Sequence, residues 1–480
     1  MSKEKGPYDV FQDPVAERYA SPEMSANFSA RKRFSTWRRL WVALARGEKA
    51  LGLEITDEQI AEMERFVEEI NFAEAEAKER EIRHDVMAHV YAYGLQATKA
   101  KPIIHLGATS CTVSDNADVL LMRDALRIIL KRLVNVIDRL GEFALRYKDV
   151  PTLAFTHFQP AQFTTVGKRA SLWLSDLMMD LEEIERRIGG LKLLGVKGTT
   201  GTQASFLELF GGDAEKVRKL EEVFAREMGF AECFAVTGQT YPRKLDAQVL
   251  GSLSGIAQSA HKFASDLRLL SHLREVEEPF DEKQVGSSAM AYKRNPRRAE
   301  LMTALARHVM VLSADPAFTA ASQWLERTLD DSANRRIALP GAFLATDGIL
   351  RVFLNVVSGL VVNEPVIRRH LREELPFIAT ENLLMQAVKA GGDRQELHEK
   401  IRAHSQAASR RMKEMGEEND LVTRLKSDRA FGGVNVETAL DPSRYVGLAP
   451  RQTEEYVKKF VQPALRPYHK LLGETAEFEL

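Results

Sequence analysis

Residues 243–275 read RKLDAQVLGSLSGIAQSAHKFASDLRLLSHLRE. Their apolar positions Leu253, Ile256, Ala260, Phe263, Leu267 and Leu270 follow a 3-4-3-4 spacing. That spacing puts one apolar seam on a long helix and asks for other helices to cover it. Gly251, Ser252, Ser254, Gly255 and Ala257 lie among them and are small enough for a close helix approach. The pattern recurs on both sides. Within 115–148 the apolar residues are Leu126, Ile129, Leu130, Leu133, Val136, Ile137 and Leu140; within 168–188 they are Leu174, Leu177, Met178, Leu181, Ile184 and Ile188. Segments 297–313 and 334–362 look similar, and Pro340 with Gly341 is expected to kink the second near its start. Five such segments in mid-chain predict an all-α helix bundle. Their apolar faces are too continuous for a bundle solvated all round, which predicts burial against other subunits.

The bundle sets the domain boundaries. An N-terminal domain over 1–110 is expected to hold helices at 25–47, 56–67 and 72–93, the central domain to span 111–364, and 365–480 to form a smaller domain of short helices. Strand signals are sparse. One short candidate lies at 234–237, and no alternation of strands and helices suggests a parallel sheet.

Composition narrows the class. Lys and Arg number 67 against 68 Asp and Glu, so there is no basic excess of the kind a dedicated nucleic-acid binder shows. Cys111 and Cys233 are too few for a disulfide framework or a cysteine-rich zinc site. The opening MSKEKGPYDVFQDP has no apolar core of a signal peptide, and runs such as 352–362 are interrupted and short for a bilayer. A cytoplasmic enzyme is the expectation.

Four polar segments interrupt the helices. GATSCTVSDN at 107–116 sets Thr109, Ser110, Ser114 and Asn116 at a helix start. They suit capping, with Ser114 or Asp115 as the cap, or a cradle for a carboxylate. THFQPAQ at 156–162 places His157 between a hydroxyl and an amide. That suits acid–base work near neutral pH, and equally a structural histidine at a turn. GSSAMAYKRNP at 286–296 joins a flexible tip to Lys293 and Asn295, groups able to hold a carboxylate as charge develops on it. RTLDDSANRR at 327–336 groups Arg327, Arg335 and Arg336 with Ser332, a set for phosphate or carboxylate, although Asp330 and Asp331 also permit a salt-bridged surface helix. The stretch 190–197 lacks the lysine of a P-loop, His84 and His89 do not have the HExxH spacing, and no convincing metal-ligand cluster occurs.

The string at 286–296 resembles the signature of the fumarase/aspartase superfamily, GSSxMPxKxNP, with Ala291 where proline is usual. Within it the whole chain resembles the adenylosuccinate lyases. The matching strings are RYASPEM (18–24), RHDVMAHV (83–90), IIHLGATSC (103–111), THFQPAQ (156–162), GVKGTTGTQASF (195–206), TGQTY (237–241), YKRNP (292–296) and ERTLDDSANRR (326–336).

The resemblance implies an all-α, three-domain subunit. Four subunits pack their long helices into one core, and each active site draws on three of them. It implies no cofactor, no metal, no nucleic acid and no membrane, and two reactions. One takes adenylosuccinate to AMP and fumarate; the other takes succinyl-aminoimidazole carboxamide ribotide to the carboxamide ribotide and fumarate. Both break a C–N bond by anti elimination, through a carbanion beside a carboxylate. The resemblance makes Ser287 the general base and His157 the general acid, with Lys293 and Asn295 neutralising the carbanion's carboxylate. It assigns Arg18 and Tyr19 to the nucleotide, and Arg83, His84 and Asp85 to a second binding string. Thr109 and Ser110 go to a carboxylate, Gln239 to a substrate amide contact, and Arg327, Ser332 and Arg336 to the phosphate. Leu301 stands where the family pattern has arginine, which bears on the balance between the two substrates. A sibling lyase acting on argininosuccinate, aspartate or malate fits the longer strings less well. A scaffold that had lost catalysis would be expected to lack Ser287, His157 or Lys293, and all three are present.

Overall fold

The computed structural model of the chain describes residues 13–280, 284, 289, 290, 292–432, 434, 435 and 437–475. Its centre is five helices, Ser110–Arg146, Val166–Gly189, Lys244–His272, Arg297–Leu312 and Asp331–Ser358. The seam of the Lys244–His272 helix is buried throughout, from Leu253 to Leu270. Burying one such side chain stabilises by about 1.5–3 kcal/mol. Phe263 is the meeting point of three helices: it stacks on Phe353 at 4.3 Å and receives the edge of Trp173 at 5.0 Å. Gly255 permits the close approach, since a Cβ there would stand 2.9 Å from Asp180 of the Val166–Gly189 helix.

The last bundle helix, predicted over 334–362, starts at Asp331 and ends at Ser358, with Pro340 inside it. Among the described residues it is the one helix long and apolar enough to cross a membrane. However, 78% of its apolar window is buried against the rest of the chain, as in a core helix. Leu301 sits on the Arg297–Leu312 helix and packs against this core.

The N-terminal helices break where local chemistry offers a cap. The stretch predicted as one helix at 25–47 divides into Pro22–Asn27 and Ala30–Ala50, because Ser29 accepts the Lys32 N–H and starts a new helix. Thr56 and Gln59 form a capping box on Asp57–Arg65. The predicted helix 72–93 becomes Phe72–Ile82 and Asp85–Gln96. Arg83 turns left-handed (φ 57°) and His84 caps the second piece.

Two small antiparallel strand pairs join the helices. Pro151–Thr156 pairs with Gln159–Thr165, and Val276–Glu277 with Val361–Val362. The strand expected at 234–237 is not formed; only Cys233 makes an isolated bridge, to Leu193. After the bundle, residues such as Leu383, Leu397, Leu421 and Phe431 build a second, smaller core. Val457, Val461 and Leu465 then return to the main core, the first two against Gly141.

Candidate active site

A cleft of about 610 Å³ opens where three helices begin. Arg83, His84 and Asp85 line it at the start of Asp85–Gln96, Ser110 at the start of Ser110–Arg146, and Ser332 and Arg336 in the first turns of Asp331–Ser358. Gln239 and Arg327 line it from the loops between. Helix starts present unsatisfied N–H groups and the positive end of the helix dipole, so this cleft favours anions before any side chain is counted. Thr109 stands just outside the lining, held by its N–H on Thr112 Oγ1 at 3.2 Å.

The break at Arg83 aims His84. Its Nδ1 accepts the Met87 N–H at 3.3 Å, which puts the ring proton on Nε2, and Nε2 lies 3.3 Å from Ser110 Oγ. Ser110 then accepts from the imidazole and keeps its own hydroxyl proton for the cleft. Arg336 reaches Asp85 at 3.3 Å across the opening.

Beneath the cleft lies a buried ion-pair network that inspection of the sequence did not find. Arg243 forks onto Asp115 at 2.9 and 3.2 Å and reaches Asp331 at 2.5 Å. Burial opposes its charge most strongly, but the attraction of Asp115, its hydrogen bonds and Tyr241 together outweigh that and hold the guanidinium above the ordinary arginine range. Arg335 pairs with Asp246 at 2.7 Å and Asp118 at 3.0 Å, and donates to the Tyr241 hydroxyl. So Arg335, although it lines the cleft, is tied into the bundle, while Arg336 is exposed and reaches across the opening. Asp331 accepts from Arg243 and also from Arg327 Nη1 at 3.0 Å, so one buried carboxylate orients a cleft arginine. The ion pairing that the acidic neighbours of 327–336 suggested is present, but buried rather than solvated.

Two further expectations change. Asn116 is no ligand group: it is fully buried and exchanges hydrogen bonds with the Gly195 backbone, both at 3.0 Å. Ser114 turns back onto the Ser110 carbonyl at 3.2 Å instead of capping the helix, which begins four residues earlier. Cys111 lines the cleft, with its thiol pushed up to about 12 by burial, and then by Asp115. Its Sγ lies 3.7 Å from Gln239 Oε1.

The other described residues that were predicted do not line this cleft in the single chain. His157 and Phe158 are the two tip residues of the 151–165 hairpin, both left-handed (φ 53° and 57°), and His157 is exposed. Arg18 and Tyr19 end a short helix packed near Gly348. Lys293 is exposed and Asn295 half-buried, on the segment leading into Arg297–Leu312. Ser287 falls outside the described residues.

Comparison with known proteins agrees with this architecture. The chain matches the family described as "Lyase" over residues 17–311 and that described as "Adenylosuccinate lyase C-terminus" over 376–456. It is 54% identical to the adenylosuccinate lyase of Saccharomyces cerevisiae and 52% identical to that of Schizosaccharomyces pombe, in each case over 97% of this chain and 98% of the other. In fold it is similar to a crystal structure of 3-carboxy-cis,cis-muconate lactonizing enzyme from Pseudomonas putida, with a TM-score of 0.80 and 24% identity over 94% of this chain and 99% of that one. On these matches the chain belongs to the adenylosuccinate lyase family, a branch of the all-α fumarase/aspartase superfamily.

Proposed function

We propose that this chain eliminates fumarate from adenylosuccinate, giving AMP, and from succinyl-aminoimidazole carboxamide ribotide, giving the carboxamide ribotide. The observation that carries the reading is the cleft itself. Arg83, distant in sequence, meets Arg327 and Arg336 and three helix starts around one cavity of about 610 Å³. Each substrate brings one phosphate and two carboxylates, and this array of donors suits that charge.

Arg327, Ser332 and Arg336 hold the phosphate; Ser110, Thr109 and His84 hold a carboxylate; Gln239 and Asp85 orient the rest of the substrate. Ser287 removes the proton beside the carboxylate and His157 protonates the leaving nitrogen. Lys293 and Asn295 stabilise the dianionic carbanion, where fixed donors in a site closed to water act most strongly. Arg18 and Tyr19 complete the nucleotide site.

His157, Lys293 and Arg18 do not line the cleft of their own chain, which supports a complete site that draws on neighbouring subunits of a homotetramer. Exposed apolar side chains on the bundle helices, Leu172, Met179, Leu269, Val311 and Ile337, support that assembly. Sedimentation should give four times the 54.0 kDa chain mass. Mixing inactive His157→Ala and Arg327→Ala chains should restore part of the activity, because some mixed sites then contain neither substitution. A monomer with full activity would overturn the shared site.

The reaction is tested by mixing the protein with adenylosuccinate and no added metal. Equal amounts of AMP and fumarate are expected. Failure to form them, with turnover of a sibling substrate such as argininosuccinate, would overturn the assignment.

A further inference from the structure

The glycine-rich string at 195–206 has no part in the chemistry above, yet it is firmly held. Asn116 clamps Gly195 by two hydrogen bonds, Lys197 pairs with Glu221 at 2.7 Å, and Gln203 folds back onto the Val196 carbonyl at 3.1 Å. This fixed base carries Gly201 onto the next loop. Gly201 is left-handed (φ 82°), and a Cβ on it would stand 2.0 Å from the Thr237 carbonyl oxygen. Gly238 repeats the contact one loop further: its Cβ would stand 2.5 Å from the Glu326 carbonyl oxygen. The Gln239 N–H donates to that same oxygen at 3.0 Å.

Three loops therefore touch backbone to backbone in series, and no side chain fits at either contact. The residue after Gly238 is Gln239 and the residue after Glu326 is Arg327, and both line the cleft. Their separation is set by a contact that contains no side chain able to give way.

We propose that Gly201 and Gly238 are positioning residues for the elimination, their backbone stack fixing the distance between Gln239 and Arg327 and so the register of the substrate's succinyl end against its phosphate end. The proposal rests on the reading of Gln239 and Arg327 as substrate contacts. An added methyl at either glycine must spread the loops. A displacement of about 1 Å near reacting groups is enough to cost on the order of 100-fold.

The test compares Gly238→Ala and Gly201→Ala with Gly211→Ala, measuring kcat and KM for adenylosuccinate beside circular dichroism and thermal melting. Gly211 is left-handed (φ 60°) like Gly201 but has open space around it, so it reports the conformational cost of the Gly201 substitution alone. Gly238→Ala is expected to keep its helix content and raise KM by about 10- to 100-fold. Gly201→Ala should follow in the same direction, and Gly211→Ala should shift only the melting temperature. A purely structural glycine would lower the melting temperature and leave the KM of the folded fraction alone. If Gly238→Ala does not fold, Gly201→Ala carries the test, and a wild-type KM there overturns the proposal. Gln239→Ala and Arg327→Ala separate the two levels of failure. If these bind normally, the substrate-contact reading falls; if they are impaired while both glycine variants are normal, only the stack falls.

Discussion

The cleft at the helix starts and the hairpin tip that carries His157 are held in different ways. Under the cleft, Arg243, Asp115 and Asp331 are buried and bonded to one another, and Arg327 is aimed by the same carboxylate. At the tip, His157 and Phe158 stand exposed in left-handed backbone, with a Phe155–Phe158 ring contact at 5.8 Å beside them. Left-handed φ at both turn residues marks the two-residue turn that normally takes Asn-Gly, and His-Phe is a costly substitute. One region is preorganised by its own chain. The other is built to project, and its strain is a reason to expect function at that point.

The contrast is broken most severely by His157→Ala. Because the side chain is exposed, melting should barely change, while kcat should fall by about 10²- to 10⁴-fold, the usual worth of a general acid. A kcat within a few-fold of wild type would make the tip a structural turn and remove the contrast. Asp331→Asn attacks the other region. It strips the charge shared by Arg243 and Arg327, and breaking a buried pair costs about 3–5 kcal/mol. Denaturant unfolding should show that loss, and KM should rise in the folded fraction as Arg327 loses its guide. Unchanged stability would mean that Asp115 alone satisfies Arg243.

A third test concerns burial without pairing. Glu48 is fully buried on the Ala30–Ala50 helix, and neither carboxylate oxygen has a hydrogen-bond partner. Burial pushes its carboxyl up from 4.5 to about 9. The folded state therefore holds a proton that the unfolded state releases, and this group's contribution to stability is lost as pH rises from about 4.5 to about 9. Glu48→Leu should flatten that part of the pH profile and stabilise the protein at pH 8 by about 1–3 kcal/mol. Parallel profiles for the two proteins would show that the carboxyl finds a partner in solution. The ion-pair network and Glu48 thus separate buried groups that keep their charge because partners compensate it from a buried group that gives its charge up by holding a proton.

The sequence made the cleft half visible; at the tip it marked His157 but hid the hairpin that carries it. Helical periodicity exposed the bundle because a buried face repeats along the chain, and the seam from Leu253 to Leu270 lies where spacing put it. Arginines at 327–336 were legible as an anion set, but not which one is buried. Arg335 and Arg336 are neighbours in sequence and opposite in role, which only packing decides. Arg243 gave no local sign, since its partners are 88 and 128 positions away. The break at Arg83 lacks proline or glycine, and the 151–165 hairpin hides its alternation behind Pro151 and Pro160. Asn116 looked like a ligand because a polar side chain at a helix start has two uses, and burial selected the structural one.

Phe158→Gly gives the smallest and most discriminating effect. Glycine suits the second left-handed position of the turn and relieves about 1 kcal/mol of backbone cost, partly offset by its own flexibility in the unfolded chain and by the lost contact with Phe155. Thermal stability should therefore stay level or rise slightly. A marked fall would show that Phe158 is packed into its own chain, contrary to its exposure. Activity should drop all the same, because a looser tip no longer fixes the direction of His157. If stability rises while kcat is unchanged, the left-handed backbone at His157 is incidental to proton transfer, and the acid is held by whatever surface it meets.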